Sequence, residues 1–308
     1  MDHSRHLIVG TGAMACLFAA RMAQAGLQPQ MLGNWTEALE VLRTAGVRLR
    51  MNGGKWESFP VRVYERCDDL LPISLAIVLV KAWQTAEKGR MLQHCLAPDG
   101  IALTLQNGLG NREDLAAILG KERVMAGSIT LGAKLVQPGV VEVETSGTVI
   151  LPRTEYTANI SAFMRTLGFD VETHADIETL LWQKVAINAA INPLTALLEI
   201  SNGELLHNPH AGALLRAIVS EVSRVAQAQN MKLPPEKLIE AAEAVALRTA
   251  QNTSSMLQDV RRGARTEVDW INGAVVRAGR RCGIDTPVNE IMLQLIHAKV
   301  ESGNRVEM

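Results

Sequence analysis

The feature that most constrains this chain stands near its start. His6-Leu7-Ile8-Val9 is a short apolar run. Gly10-Thr11-Gly12-Ala13-Met14-Ala15 follows it directly and opens a stretch, Ala13–Ala25, with helical spacing. A strand that turns through G-x-G-x-x-A into a helix begins a βα unit built around a phosphate. Gly10 permits the tight turn, Gly12 lets a pyrophosphate approach the backbone, and Ala15 keeps the third position small for helix–strand packing. The helix N-terminus adds N–H groups without helical partners and the positive end of a dipole. Gly10, Thr11, Gly12, Ala13, Met14 and Ala15 are therefore the expected dinucleotide-binding loop.

The rest of the first half repeats the β-then-α pattern. Gln28–Leu32 reads as a second strand and Thr36–Thr44 as a helix. Val47–Met51 and Ser58–Tyr64 flank the turn signal Asn52-Gly53-Gly54. Leu75–Val80 and Ile101–Leu105 are apolar without alternation, as in strands buried on both faces of a parallel sheet. Arg123–Thr130 and Val140–Leu151 supply further strands. After about Thr173 the strands stop. Glu178–Ala196, His210–Gln229, Pro235–Thr249, Ser255–Arg262, Val268–Cys282 and Asn289–Ser302 all show helical periodicity. The expected fold is an α/β Rossmann-type doubly wound sheet over residues 1–173, joined to an all-α domain over residues 174–308.

Composition narrows the function classes. With 31 Lys and Arg against 32 Asp and Glu there is no basic excess of the kind that binds nucleic acid. The four cysteines, Cys16, Cys67, Cys95 and Cys282, lie far apart in sequence with no metal-ligand spacing, so no metal site and no disulfide scaffold is expected. No apolar run approaches membrane-spanning length. A cytoplasmic protein without a membrane or nucleic-acid partner is the expected class. Apolar helical surface in the second half is as compatible with a homodimer as with an ordinary core.

Cofactor choice turns on the end of the second strand, Gly33-Asn34-Trp35-Thr36, which carries neither the acidic residue usual for NAD nor an arginine for NADP. Without a carboxylate in that segment NADP is favoured and NAD is not excluded, with Asn34 able to donate to either ribose group. Lys81, after one apolar strand, and Asn107, after another, fall where ligands of open α/β sheets bind.

The most informative segment of the second half is Lys184-Val185-Ala186-Ile187-Asn188-Ala189-Ala190-Ile191-Asn192-Pro193. Lys184, Asn188 and Asn192 recur every four residues and share one helix face. Asparagine is a poor helix residue, and two beside a lysine in an apolar helix suggest a polar cleft wall. A partly desolvated lysine can protonate the oxygen that gains charge when a ketone is reduced. Ser255 with Gln258 fits a capping box, and Glu267 taken alone is a surface carboxylate.

In combination these residues resemble the ketopantoate reductase family. The glycine loop, Lys81-Ala82-Trp83-Gln84, Asn107-Gly108, Lys184 through Asn192-Pro193-Leu194-Thr195-Ala196, Asn202-Gly203-Glu204-Leu205, Ser254 through Asp259, Thr266-Glu267 and Ile271-Asn272-Gly273 occur in the family's order. The resemblance implies NADPH-dependent reduction of 2-dehydropantoate to (R)-pantoate in pantothenate biosynthesis, in a cleft between the two domains. It implies that Lys184 is the general acid and that Glu267 binds the substrate hydroxyl and orients the lysine. Asn188, Asn192, Asn202 and Ser255 would bind a small 2-oxo acid, and Asn107 and Lys81 the cofactor. Asn34-Trp35 stands where members often carry Arg, and Leu131 where many carry His. Reduction of another 2-oxo acid, and a non-enzymatic NADP-binding regulator, are the alternatives.

Overall fold

The computed structural model describes residues 5–68, 70–143 and 147–303, which form two compact units. The first comprises residues up to Gln106 and Asn111–Ile177; the second comprises Asn107–Gly110 and the chain from Glu178 onward.

In the first unit β1 (His6–Val9) runs into α1 (Ala13–Gln24), and β2 (Gln30–Leu32) into α2 (Thr36–Ala45). Three short strands follow: β3 (Val47–Met51), β4 (Glu57–Phe59) and β5 (Arg62–Tyr64). Next come β6 (Ile73–Val78), α3 (Thr85–Leu92), β7 (Leu96–Thr104), α4 (Asn111–Leu119) and β8 (Val124–Ala126). The unit closes with β9 (Ser128–Ile129), β10 (Lys134–Gln137), β11 (Val140–Val143), β12 (Thr148–Pro152), α5 (Thr157–Thr166) and β13 (Asp170–His174).

Six parallel strands lie in the order β5-β2-β1-β6-β7-β8, which is the dinucleotide-binding order 3-2-1-4-5-6. All four residues of β1 are buried, as its unbroken apolar run requires. Alternate side chains of a strand feed two cores. Ile8, Ile77 and Leu103 pack with α1 and α5, whereas Leu7, Val9, Val78 and Ala102 pack with Leu92 of α3 and Leu115 of α4. The sheet is thus covered on both faces.

Two smaller sheets, β10-β11-β3-β4 and β13-β12-β9, accompany the parallel sheet expected from the sequence. β3 and β4 form the hairpin signalled by Asn52-Gly53-Gly54. The run Ser58–Tyr64 is broken at Pro60, so its second part, β5, joins the parallel sheet instead. Of the stretch Val140–Leu151, residues 144–146 lie outside the described residues. Cys67 and Cys95, distant in sequence, meet with their sulfurs 2.7 Å apart in the core, the Cys95 thiol held well above its usual range by its bond to Cys67 and by burial.

The second unit is helical: α6 (Ile177–Leu198), α7 (Glu204–His207), α8 (Pro209–Ala228), α9 (Pro235–Arg248), α10 (Ser255–Arg261), α11 (Asn272–Cys282) and α12 (Pro287–Gly303). Its core joins Trp182, Ile191 and Leu194 of α6 to Ile218 and Val222 of α8 and Val275 of α11. Glu221 of α8 is buried, yet its carboxylate accepts from the Val288 and Asn289 backbone N–H groups at 2.9 Å and from Asn289 Nδ2 at 2.8 Å, capping α12 from another helix. No helix of the described residues is long and apolar enough to cross a membrane.

Candidate active site

The glycine loop has the shape its sequence implies. Gly10 adopts φ +130°, which side chains avoid, and a Cβ there would lie 3.2 Å from the Leu79 backbone. The ends of β1 and β6, between which the strand order reverses, therefore touch. Gly12 caps α1 without a side-chain partner, no acidic residue stands in the first turn, and nothing lies within 4 Å of where a Cβ would be. Open space over bare helix N–H groups fits the pyrophosphate of a dinucleotide. Thr11 is buried, Ala13 and Met14 are half-buried, and Ala15 is fully enclosed, as close helix–strand packing demands.

The loops after β6 and β7 are fastened by one buried amide. Gln106 Nε2 donates to the Val80 carbonyl at 2.9 Å and to Thr85 Oγ1 at 2.8 Å, and Thr85 donates to Asn111 at 2.9 Å. This fixes the start of Lys81-Ala82-Trp83-Gln84, where Lys81 is half-buried. At the end of β2, Asn34 is exposed and donates through Nδ2 to Glu87 of α3 at 3.1 Å.

Lys184, Asn188 and Asn192 lie on the single helix α6, so their spacing does place them on one face. Lys184 and Asn188 are half-buried and Asn192 is buried. The Lys184 ammonium is brought down from 10.5 to about 8 by loss of water around it, while the negative charge of Glu267 pulls the other way. Glu267 itself is buried rather than a solvated surface group. It sits in the turn before α11, which begins four residues later than the periodicity suggests. The segment Asn107–Gly110 packs on that turn. Leu109 N–H donates to the Trp270 carbonyl at 2.9 Å, and a Cβ on Gly108 would fall 2.5 Å from the same oxygen. Asn107 is thereby held in the same unit as Glu267.

Pro193 lies inside α6. It has no N–H for the carbonyl four residues earlier, that of Ala189. Asn272 supplies the missing donor, Nδ2 lying 2.9 Å from the Ala189 oxygen, and is itself 3.1 Å from Asn289 Oδ1. One turn on, the hydroxyls of Thr195 and Ser254 are hydrogen-bonded at 2.7 Å, joining α6 to the start of α10. Ser254, not Ser255, is the cap, accepting from Leu257 N–H. Ser255 follows as an exposed first-turn residue, and the expected capping box is absent. Asn202 is drawn elsewhere: its Nδ2 donates to Thr249 at 2.9 Å, its backbone N–H to Asn252, and its buried Oδ1 has no partner. Sequence reasoning gave Asn272 no role of its own. The signal for it was Pro193, since a mid-helix proline always orphans a carbonyl.

A glycine-loop α/β unit in the dinucleotide-binding strand order, followed by a helical unit with a desolvated lysine beside a glutamate, defines a dinucleotide-dependent class. Comparison with known proteins makes this specific. Residues 6–155 match the family model for ketopantoate reductase PanE/ApbA, and residues 176–300 match that for its C-terminal part. The 2-dehydropantoate 2-reductase of Archaeoglobus fulgidus is 35% identical over 98% of this chain and 100% of its own. That of Halobacterium salinarum is 33% identical over 97% and 100%. Among solved structures, D-mandelate dehydrogenase with NADH and anilino(oxo)acetate superposes with a TM-score of 0.90 at 26% identity, covering 97% of this chain and 99% of that one. A ketopantoate reductase from Ralstonia eutropha JMP134 gives 0.88 at 27%, covering 96% and 99%. This chain belongs to the ketopantoate reductase family.

Proposed function

We propose that this chain reduces a small 2-oxo acid, 2-dehydropantoate before others, with Lys184 as the general acid. The observation that carries the reading is the Lys184 ammonium, lowered to about 8 beside Glu267 on a helix face that also bears Asn188 and Asn192. Near neutral pH such a group is still protonated and loses its proton readily, which suits general acid catalysis. When bound in the glycine loop, a reduced nicotinamide dinucleotide supplies the hydride to the 2-keto carbon.

The chain's own residues do the rest. Lys184 Nζ neutralises and then protonates the oxygen that becomes the alcohol. Glu267 keeps that ammonium charged and accepts from the substrate hydroxyl. Asn188, Asn192 and Ser255 donate to the carboxylate and hold the keto group toward Lys184, whereas Asn202, whose Nδ2 is turned to Thr249, takes no part in this reading. Neutral amides orient the substrate without competing for its proton. Gly10 through Ala15, Lys81, Asn107 and Asn34 hold the cofactor. By sequence alone the carboxylate-free segment Gly33–Thr36 points to NADPH, whereas the similar D-mandelate dehydrogenase is an NADH complex, and the residues folded around that segment decide between the two.

That complex, which also holds anilino(oxo)acetate, favours a second reading in which the chemistry is the same and the acid carries an aromatic group. Following nicotinamide absorbance with 2-dehydropantoate and with aryl 2-oxo acids separates the two. Lys184→Ala is expected to lower turnover by at least about a hundredfold while cofactor binding persists. Full turnover in that variant would remove Lys184 from the reaction.

A further inference from the structure

Resting on the dinucleotide-binding reading, we propose that Glu87 is a specificity-determining residue that makes this chain prefer NADH to NADPH. In sheets of this strand order the adenosine ribose lies at the end of the second strand, where an acidic side chain ordinarily accepts from its hydroxyls. Gly33-Asn34-Trp35-Thr36 holds no such residue. Position 33 has no room for one, because a Cβ on Gly33 would lie 2.5 Å from the Thr11 methyl.

The folded chain brings the carboxylate from a different element. Glu87, in the first turn of α3, accepts from Asn34 Nδ2 at 3.1 Å and from Lys88 Nζ at 3.0 Å, both through Oε1. The two charges of this pair are not equally presented. The Lys88 side chain is 1% exposed, whereas that of Glu87 is 52% exposed. The cation therefore lies behind the carboxylate, and the anion faces the solvent side where a ribose would lie. Glu87 Oε2 has no hydrogen bond among the described residues. A second carboxylate flanks the same segment, since Glu37 Oε2 accepts from the Trp35 indole at 3.2 Å.

Asn34 reinforces the bias. Its Nδ2 turns one N–H to Glu87, and the opposite amide orientation would set a carbonyl against a carboxylate. The carboxylate thereby fixes which way the Asn34 amide faces. Ribose hydroxyls can donate to Glu87 Oε2 and Asn34 Oδ1. A 2′-phosphate, close to doubly charged at neutral pH, would meet Glu87 and Glu37, and Lys88, the cation paired with Glu87, is buried behind it.

Titrating the whole protein with NADH and with NADPH, by calorimetry or nicotinamide fluorescence without substrate, tests this. NADH is expected to bind at least about tenfold more tightly. Glu87→Gln is expected to bring the two affinities within about threefold, mainly by tightening NADPH. Because that change leaves Lys88 facing a neutral amide, the double variant E87Q/K88M provides the same test with both charges removed, and the same loss of preference is expected. Tighter NADPH binding by the unaltered protein, or an NADH preference that survives in both variants, would overturn the proposal. Binding of neither dinucleotide would overturn the reading beneath it as well.

Discussion

Asn272 occupies the one hydrogen-bonding position in α6 that Pro193 vacates, donating to the Ala189 carbonyl at 2.9 Å. The contact ties the middle of the Lys184 helix to α11. Its energetic weight follows from burial: Asn272 is fully enclosed, so the carbonyl has no water to fall back on. Asn272→Ala is expected to cost about 1–3 kcal/mol. In a Pro193→Ala background, residue 193 regains an N–H for Ala189, and the same substitution should cost less by about 1 kcal/mol. A denaturation double-mutant cycle measures this, and strict additivity would show that the two residues do not share the carbonyl.

The pH dependence of kcat/KM should report Lys184. The acid acts in its protonated form, so the profile is expected to be level at lower pH and to fall as pH rises through about 8. Glu267 raises the lysine's affinity for its proton. In Glu267→Gln the fall should therefore move to lower pH, and a shift to higher pH would contradict the electrostatic relation between the two.

The same desolvation bears on stability. Lys184 titrates near 8 when folded against 10.5 ordinarily, so between these values the unfolded chain holds more protons and folding strengthens as pH rises. Below pH 8 the burial cost is fully present. Lys184→Met, which removes this titration, should abolish turnover and flatten the rise of stability between about pH 8 and 10.5. Calorimetric melting of the two proteins at a series of pH values would reveal the difference.

Gly33 and Thr11 form a size-matched pair between β2 and the glycine loop. Gly33→Ala should push the Thr11 methyl, 2.5 Å from the new Cβ, out of place and weaken dinucleotide binding about tenfold or more. Adding Thr11→Ser removes that methyl and should restore most of the affinity. Titration of the two variants decides whether the loop's conformation depends on this contact.

Much of this was legible from periodicity. The glycine loop, the buried strands β1 and β6 and the Lys184–Asn188–Asn192 face each follow from spacing within a single element. What escaped was assembled from separate elements. Glu87 meets Asn34 across 53 residues, Asn272 meets Ala189 across 83, and Cys67 meets Cys95 across 28. Local pattern carries no record of such meetings. The cap of α10 falls on Ser254 rather than on the chemically equivalent Ser255, because Ser254 is the one whose hydroxyl meets Leu257 N–H and Thr195. α7 was missed because four residues hold too little periodicity to read.

The Glu221 cap on α12 has a consequence for how the helical unit comes apart. If the first turn of α12 unwound alone, a carboxylate only 3% exposed would lose three donors with no water at hand. That end cannot fray locally, so the amides of Val288 and Asn289 exchange with solvent only when α8 and α12 separate in a larger opening. Asn289 is also the residue that steadies Asn272. The broken turn of the Lys184 helix is therefore buttressed by one of the last parts of its unit to open.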